Sequence, residues 1–353
     1  MANMHGNEEK KNAKRCLESR CTNAGRKPGL TGSSGRSIDY LRLSITDRCN
    51  FRCIYCMPQE GMPFIPHENI LSYEAILRLV AILADLGVIH YKVTGGEPFC
   101  RKGAMGFIKD LAAMPGVAEV TVTTNGSLAG NCLEDLAGAG VSAINFSCDA
   151  FTPEVFRSVT RSDASLASIR ENMERAAALG LRVKINAVPI RGHNAAELLP
   201  IARFALERGF HIRFIELMPI GSGRVLRGIP LSDVRHMLER EFGPLRVVAE
   251  KTGNGPAVMH RVQGYPGLVG FIAALSGRFC AACNRVRLTA TGYLKSCLCH
   301  EAGVDLREAM EEGADDEELR QLIVHAVAGK PNGHTFSFSN PEGDHFFMNS
   351  VGG

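Results

Sequence analysis

Three cysteines, Cys49, Cys53 and Cys56, stand in the run Asp47-Arg48-Cys49-Asn50-Phe51-Arg52-Cys53-Ile54-Tyr55-Cys56, a C-x3-C-x2-C spacing. Thiolates this close together suit an iron–sulfur cube, because such clusters are built on cysteine ligands. Three ligands leave one iron of a [4Fe–4S] cube without a protein donor, and an open iron can take a substrate or cosubstrate directly. A structural zinc site is the competing reading. It wants four ligands, and no fourth Cys or His lies close by in the sequence. A second group, Cys280, Cys283 and Cys297, has the spacing C-x2-C-x13-C, with Cys299 two residues further on. Spacing alone leaves two readings open here. The pattern is close to a zinc ribbon, yet three thiolates again suit a cube with an open iron, which Cys299 could close.

Other residues suggest what such centres would act on. Thr94-Gly95-Gly96-Glu97-Pro98 follows a strand-like run. Glycines after a strand let the backbone approach a ligand closely, and Glu97 could accept hydrogen bonds from an ammonium group. No G-x4-G-K-[ST] loop is present to cradle phosphates. Arginine forks could do so instead. Arg285 and Arg287 alternate on one predicted strand and therefore share a face. Arg42, Lys184 and Arg213 lie on other predicted strands, where inward-facing basic residues are hard to explain as a solvated surface.

The elements that must position these residues can be read from the apolar pattern. Strand-like runs occur at Tyr40–Thr46, Ile89–Thr94, Glu119–Thr124, Ala143–Ser147, Arg182–Val188 and His211–Leu217. Helix-like segments lie between them, among them Ser72–Leu86, Asp163–Leu179 and Ala195–Glu207, with Gly87 and Gly180 at C′ positions. The alternation predicts an α/β fold with a parallel sheet. Six such units predict a partial TIM-like (βα)6 barrel over residues 37–225, whose functional groups gather at the C-terminal ends of the strands. Cys49, Gly95, Thr123, Asn125 and Ser147 all fall there. From 226 to 353 the pattern changes. Short strand-like pieces (Leu245–Ala249, Val258–Val262, Leu268–Ile272, Val286–Thr289) surround the second cysteine group, two helices follow at about Leu306–Glu312 and Asp316–Ala328, and the chain ends at Gly352-Gly353.

Composition narrows the class. The 353 residues are 45% hydrophobic and 22% charged, as in an ordinary soluble globular protein. No apolar stretch approaches a membrane span, and the first residues lack the apolar core of a secretory signal. Six of the twelve cysteines form the two groups, which points to metal binding in a reducing, cytoplasmic compartment rather than to disulfides. Residues 1–36 carry eight Lys/Arg against three Asp/Glu, and the remainder 32 against 34. The formal charge of +3 thus comes from a basic, polar extension expected to be disordered. Cys16 and Cys21 lie in it, and Glu8, Glu9 and Glu18 argue against a transit peptide. The body is not basic, which argues against a nucleic-acid partner. Cys132 and Cys148 read as small apolar residues, and nothing marks His193, His211 or His260 as ligands.

The C-x3-C-x2-C signature resembles that of radical S-adenosylmethionine (SAM) enzymes. Leu41-Arg42-Leu43-Ser44-Ile45-Thr46-Asp47-Arg48-Cys49, Phe214-Ile215-Glu216-Leu217-Met218, Phe279-Cys280-Ala281-Ala282-Cys283-Asn284-Arg285-Val286-Arg287 and the terminal Gly-Gly resemble the GTP 3′,8-cyclases of molybdenum-cofactor biosynthesis. The resemblance covers roughly residues 37–353. It implies two oxygen-sensitive [4Fe–4S] clusters, one on Cys49, Cys53 and Cys56 and one on Cys280, Cys283 and Cys297. It implies SAM contacts at Tyr55, Gly96, Glu97, Ser147 and Met218, and GTP contacts at Arg42, Lys92, Thr123, Lys184, Arg285, Val286 and Arg287. The implied chemistry is a 5′-deoxyadenosyl radical that takes hydrogen from ribose C3′ of GTP. The carbon radical then closes on guanine C8, giving 3′,8-cyclo-7,8-dihydro-GTP. The implied partners are an electron donor of flavodoxin or ferredoxin type and the next enzyme of the molybdopterin pathway, and a homodimer is compatible with it. Lys92 stands where the family usually has Arg, His90 where some relatives have Lys, and Cys100 and Cys299 are additional thiols. A radical SAM peptide-modifying enzyme, a zinc-stabilised binding module and a Gly-Gly carrier protein are the alternatives.

Overall fold

The computed structural model describes residues 29–32, 35–249, 253–277, 279–336 and 348–352. The extension expected over 1–36 falls largely outside these residues, as do Cys16, Cys21 and Gly353. Its last part does not behave as an extension. Leu30 is buried, its N–H donates to Leu86 and its carbonyl accepts from Ile38, so the folded body begins before residue 37.

The six expected strands form: β1 (Tyr40–Ser44), β2 (His90–Thr94), β3 (Glu119–Thr124), β4 (Ala143–Ser147), β5 (Arg182–Ala187) and β6 (His211–Ile215). The C-terminal region adds β7 (Arg246–Val247), β8 (Val258–Arg261), β9 (Leu268–Ile272), β10 (Arg285–Leu288), β11 (Tyr293–Lys295) and β12 (Gly303–Asp305). All twelve belong to one open sheet in the order β12-β11-β10-β1-β2-β3-β4-β5-β6-β9-β8-β7. β9 pairs parallel to β6 and β10 parallel to β1. The parallel run is therefore eight strands, not six, and residues beyond 225 flank the barrel on both sides.

Helices cover the outer face. The first is α1 (Tyr73–Asp85), where Ser72 accepts the N–H of Ala75 as N-cap and Gly87 takes positive φ beyond the end. After Ala104–Ala113, Leu133–Gly138 and Pro153–Thr160, the helix expected from Asp163 starts at Leu166 instead and runs to Ala178, because Ser165 takes the cap. The segment Ala195–Glu197 is a 3₁₀ turn ahead of the helix Leu198–Glu207. Four further helices, Leu231–Phe242, Leu306–Glu311, Asp316–Ala328 and Met348–Val351, complete the described set.

Period-2 alternation sorts the strand residues into two environments. Leu41, Leu43, Tyr91, Val93, Val122, Ile144, Phe146, Ile185, Ile212 and Phe214 are buried in the apolar layer shared with the helices. The alternate residues Arg42, Lys92, Thr121, Thr123, Asn145, Lys184, Asn186 and Arg213 face the other way, into the barrel. A packed (βα)8 barrel fills that space with branched aliphatic side chains. Here it is polar and largely cationic, so the interior is a site and not a core.

Candidate active site

The loop after β1 carries the first cysteine group, and the loops after β2 and β3 hold it. Ile45 N–H donates to Thr94, Gly96 N–H to Thr46 (2.7 Å) and Glu97 N–H to Arg48 (2.8 Å). A Cβ on Gly96 would lie 2.4 Å from the Arg48 carbonyl oxygen, and one on Gly95 would lie 2.7 Å from that of Thr46. The two glycines thus let the second loop pack against the backbone of the cysteine loop. Both also line the cavity described below.

Glu97, expected to contact an ammonium group, is engaged by the protein itself. It is fully buried. Its carboxylate accepts the Thr124 hydroxyl (2.7 Å) and the N–H groups of Asn125 (2.7 Å) and Phe99 (3.4 Å). Burial pushes its carboxyl up to about 7, against the pull of these hydrogen bonds. Its placement effect is indirect: Asn125 donates in turn to Asn50 (2.9 Å), between the first two cysteines.

Tyr55 is anchored by a residue that the sequence reading missed. Its hydroxyl donates to Asp149 Oδ2 (2.7 Å), while Asp149 Oδ1 accepts the Val188 N–H (2.7 Å). Asp149 stands two residues past Ser147, so one carboxylate ties together the loops after β1, β4 and β5. Burial raises it to about 6. Burial also pushes the Cys49 thiol up to about 12 and raises Cys53 and Cys56 well above the usual thiol range. Thiols held this way are neutral until a metal takes the proton's place.

The second group is assembled by a hairpin. Cys280 lies in a 3₁₀ turn (Phe279–Ala282), and Cys283 N–H donates to Cys280. β10 and β11 are antiparallel with Arg287 opposite Lys295, so the thirteen intervening residues bring Cys297 back beside Cys283. Two distant cations hold the backbone next to each cysteine. Arg36 donates to the carbonyls of Cys280 (2.7 Å), Lys330 (2.9 Å) and Pro331 (2.6 Å). The buried Lys330 ammonium donates to Arg285 (2.7 Å) and Ser296. Burial alone would raise Cys283, but Arg285 and Lys330 outweigh it and bring this thiol down to about 7. Cys299 also lines the cavity described below; its sulfur takes the Thr335 N–H (3.3 Å) and contacts the Thr335 hydroxyl.

One cavity is lined by all six cysteines. Arg42, Arg285, Arg287, Tyr55, Gly96, Thr123, Ser147 and Met218 share its wall. Lys92, Lys184 and Arg213 lie one strand layer deeper, below Thr94, Asn186 and Ile215 of the wall. All three are buried. Burial, then Arg213, Arg42 and Lys184, hold Lys92 well below the ordinary ammonium range; burial, then Arg213, bring Lys184 to about 8. Val286, expected as a GTP contact, turns its side chain away from the cavity. It is 1% exposed, in the apolar layer on the face of β10 opposite Arg285 and Arg287, so its side chain cannot reach the cavity. The chain's end also enters the wall: Met348 and Asn349 line it, and Arg287 donates to Val351 (3.2 Å) and Gly352 (2.7 Å).

The donor sets can be tested against the groups they suggest. Among the described residues no three of His, Cys, Asp and Glu converge closely enough to hold one metal ion. The three thiols of each group line the same cavity, and this donor type suits an iron–sulfur cluster. Thr123 Oγ1 and Asn186 Oδ1 are buried on the cavity wall without a hydrogen-bond partner. Such atoms are costly unless a ligand supplies the missing bond.

Comparison with known proteins agrees with this geometry. Residues 43–205 match the Radical SAM superfamily model, and residues 210–336 match the Molybdenum Cofactor Synthesis C model. A curated GTP 3′,8-cyclase of Clostridium perfringens (strain 13 / Type A) is 37% identical over 319 residues, 90% of this chain and 98% of that protein. One from Pelotomaculum thermopropionicum is 41% identical over 303 residues, 85% and 93% of the two chains. Among solved structures, Streptococcus suis SuiB bound to S-adenosylmethionine superposes with a TM-score of 0.58 at 12% identity, covering 90% of this chain and 72% of that one. That likeness concerns the fold alone. Membership of the radical SAM superfamily implies a [4Fe–4S] cluster and SAM. With near-complete coverage of these relatives and both halves matched, the chain belongs to the GTP 3′,8-cyclase family of radical SAM enzymes.

Proposed function

We propose that this enzyme converts GTP to 3′,8-cyclo-7,8-dihydro-GTP, with one cluster held by Cys49, Cys53 and Cys56 and a second by Cys280, Cys283 and Cys297. The observation that carries the reading is that both cysteine groups and the side chains of Arg42, Arg285 and Arg287 line one cavity. When bound, the first cluster and SAM together supply a 5′-deoxyadenosyl radical. The protein's part is binding, orientation and exclusion of water. Tyr55, fixed by Asp149, and the Gly95-Gly96 backbone form the wall on the SAM side. Arg42, Arg285 and Arg287 face the substrate, with Lys92, Lys184 and Arg213 beneath them. Clustered buried cations repel one another and lose hydration. A triphosphate offsets both penalties, and guanidinium forks match its oxygens. Positioning of ribose C3′ against the radical follows from gripping the nucleotide at both ends. An electron donor of flavodoxin or ferredoxin type and the following enzyme of the molybdopterin pathway are the partners this chemistry requires. Among the described residues no helix is long and apolar enough to cross a membrane.

The test is anaerobic incubation of reduced protein with SAM and GTP. The expected result is GTP-dependent 5′-deoxyadenosine and a cyclised nucleotide. In the same assay Arg285→Ala and Arg287→Ala should each weaken GTP binding by about 1.5–3 kcal/mol, the range for hydrogen bonds to charged groups, with iron content unchanged. Formation of 5′-deoxyadenosine that ignores GTP would remove the cyclase reading and keep the radical one.

The depressed ammonium of Lys184 adds a pH signature. With its pKa brought to about 8 in the free protein, Lys184 is charged below that pH and must take up a proton to meet phosphate above it. GTP affinity should therefore fall as pH rises through about 8, and Lys184→Gln should flatten that limb. Titrating GTP into the protein at a series of pH values reads the slope directly.

A further inference from the structure

The segment Gly253-Asn254-Gly255-Pro256 runs inside the barrel. Pro256 lines the cavity wall. A Cβ on Gly253 would lie 2.9 Å from Lys184 Nζ. The Asn254 amide donates to Glu119 Oε2 (2.6 Å) and also faces His90 Nδ1 (2.8 Å). His90 and Glu119 open β2 and β3. Asn254 therefore sits at the end of the barrel away from the cysteine loops, below the cation layer.

Glu119 is the carboxylate felt by both Lys92 and Lys184. It stands two residues before Thr121, which pairs with Lys92 in the strand register. If this carboxylate swung upward it would pair with the ammonium groups and compete with any polyanion. Its two oxygens are instead committed: Ser142 donates to Oε1 (2.8 Å), Asn254 donates to Oε2 (2.6 Å), and His90 Nδ1 stands 3.4 Å from Oε2. Ser142 belongs to the frame of the sheet, just ahead of β4. His90 belongs to β2, and Asn254, which bridges His90 and Glu119 from the inserted segment, is the removable part of the restraint.

We propose that Asn254 is a positioning residue for the nucleotide's phosphates: it holds Glu119 away from Lys92 and Lys184 and so keeps the barrel's cations available. The inference rests on the reading of GTP as substrate. A neutral amide is suited to this task, since it binds a carboxylate without adding a charge that would compete for the phosphates.

The experiment is a double-mutant cycle on the holoenzyme, reading GTP affinity by calorimetry and SAM affinity in parallel. Asn254→Ala should weaken GTP at least about fivefold while SAM affinity and iron content stay constant, because the freed carboxylate then occupies the lysines. Glu119→Gln alone should bind GTP at least as well as the unmodified enzyme. The double variant Asn254→Ala/Glu119→Gln should recover that affinity, since no carboxylate is left to restrain. A merely structural role for Asn254 predicts the opposite: a loss that Glu119→Gln does not relieve. Unchanged GTP affinity in Asn254→Ala, or failure of the double variant to recover, overturns the proposal. An unmodified enzyme that binds no GTP would instead overturn the substrate reading on which it rests.

Discussion

Cys53→Ala is expected to abolish 5′-deoxyadenosine formation, by at least ~10³-fold or about 4 kcal/mol of barrier, while leaving the fold intact. The backbone around Cys53 is held independently of its sulfur. Arg52 N–H donates to Thr160 (2.9 Å) and Ile54 N–H to Val159 (2.9 Å), both at the end of the helix Pro153–Thr160. The Cys53 carbonyl accepts from Cys56 (2.9 Å) and Met57 (3.2 Å) and so closes the turn that aims Cys56. None of these bonds uses the thiol. The substitution therefore removes a cluster ligand and little else. Iron per chain should fall by about half, because the second set of thiolates is untouched. Circular dichroism and iron analysis on anaerobically prepared protein separate the outcomes. A variant retaining a tenth of the activity or more would show that Cys53 is not a ligand.

Much of this architecture is legible in the sequence because the strands of a parallel sheet carry a strong signal. The runs at Glu119–Thr124 and Ala143–Ser147 coincide with β3 and β4, since each strand buries one apolar face under helices. The short strands β11 and β12 are missed: at three residues each they have too few positions to show a period. The side chains that position the site are harder to read, for a different reason. Asp149 acts on Tyr55 across 94 residues, Arg36 on Cys280 across 244, and Lys330 on Arg285 across 45. Local patterning carries no information about such pairs. Arg36 was hidden further by standing at the edge of a polar, basic stretch. Glu97 shows another limit of local pattern. Its place after Gly95-Gly96 suggests a group facing a ligand, and Thr124, Asn125 and Phe99 bind its carboxylate from elsewhere in the fold. The two glycines lack side chains for a second reason too, the close approach of the Thr46 and Arg48 carbonyls.

The two cysteine groups differ in how their charge is met, and the difference predicts how they fail. The first depends on burial and on neutral hydrogen-bond donors such as Asn125 and the Phe51 N–H, which donates to Cys49 (3.4 Å). The second is set among cations: Arg285 approaches Cys283 Sγ (3.6 Å), and the Lys330 and Arg36 side chains brace the adjoining backbone. The Cys283 thiol is lowered there, because the nearby positive charge of Arg285 and Lys330 stabilises its anion. Cys283→Ala is expected to remove the second cluster alone, leaving about half of the iron. SAM cleavage should persist, but cyclised nucleotide should fall by ~10³-fold or more, about 4 kcal/mol, because the nucleotide loses its fixed end while the radical still forms. Cys299→Ala is expected to keep the full iron complement, because the proposed ligands are Cys280, Cys283 and Cys297 and its own sulfur takes the Thr335 N–H. Iron and acid-labile sulfide per chain, measured with the yields of 5′-deoxyadenosine and cyclised product, decide the case. Equal iron loss in the two variants would mean four thiolates close the second cluster. It would then have no open iron to offer a ligand.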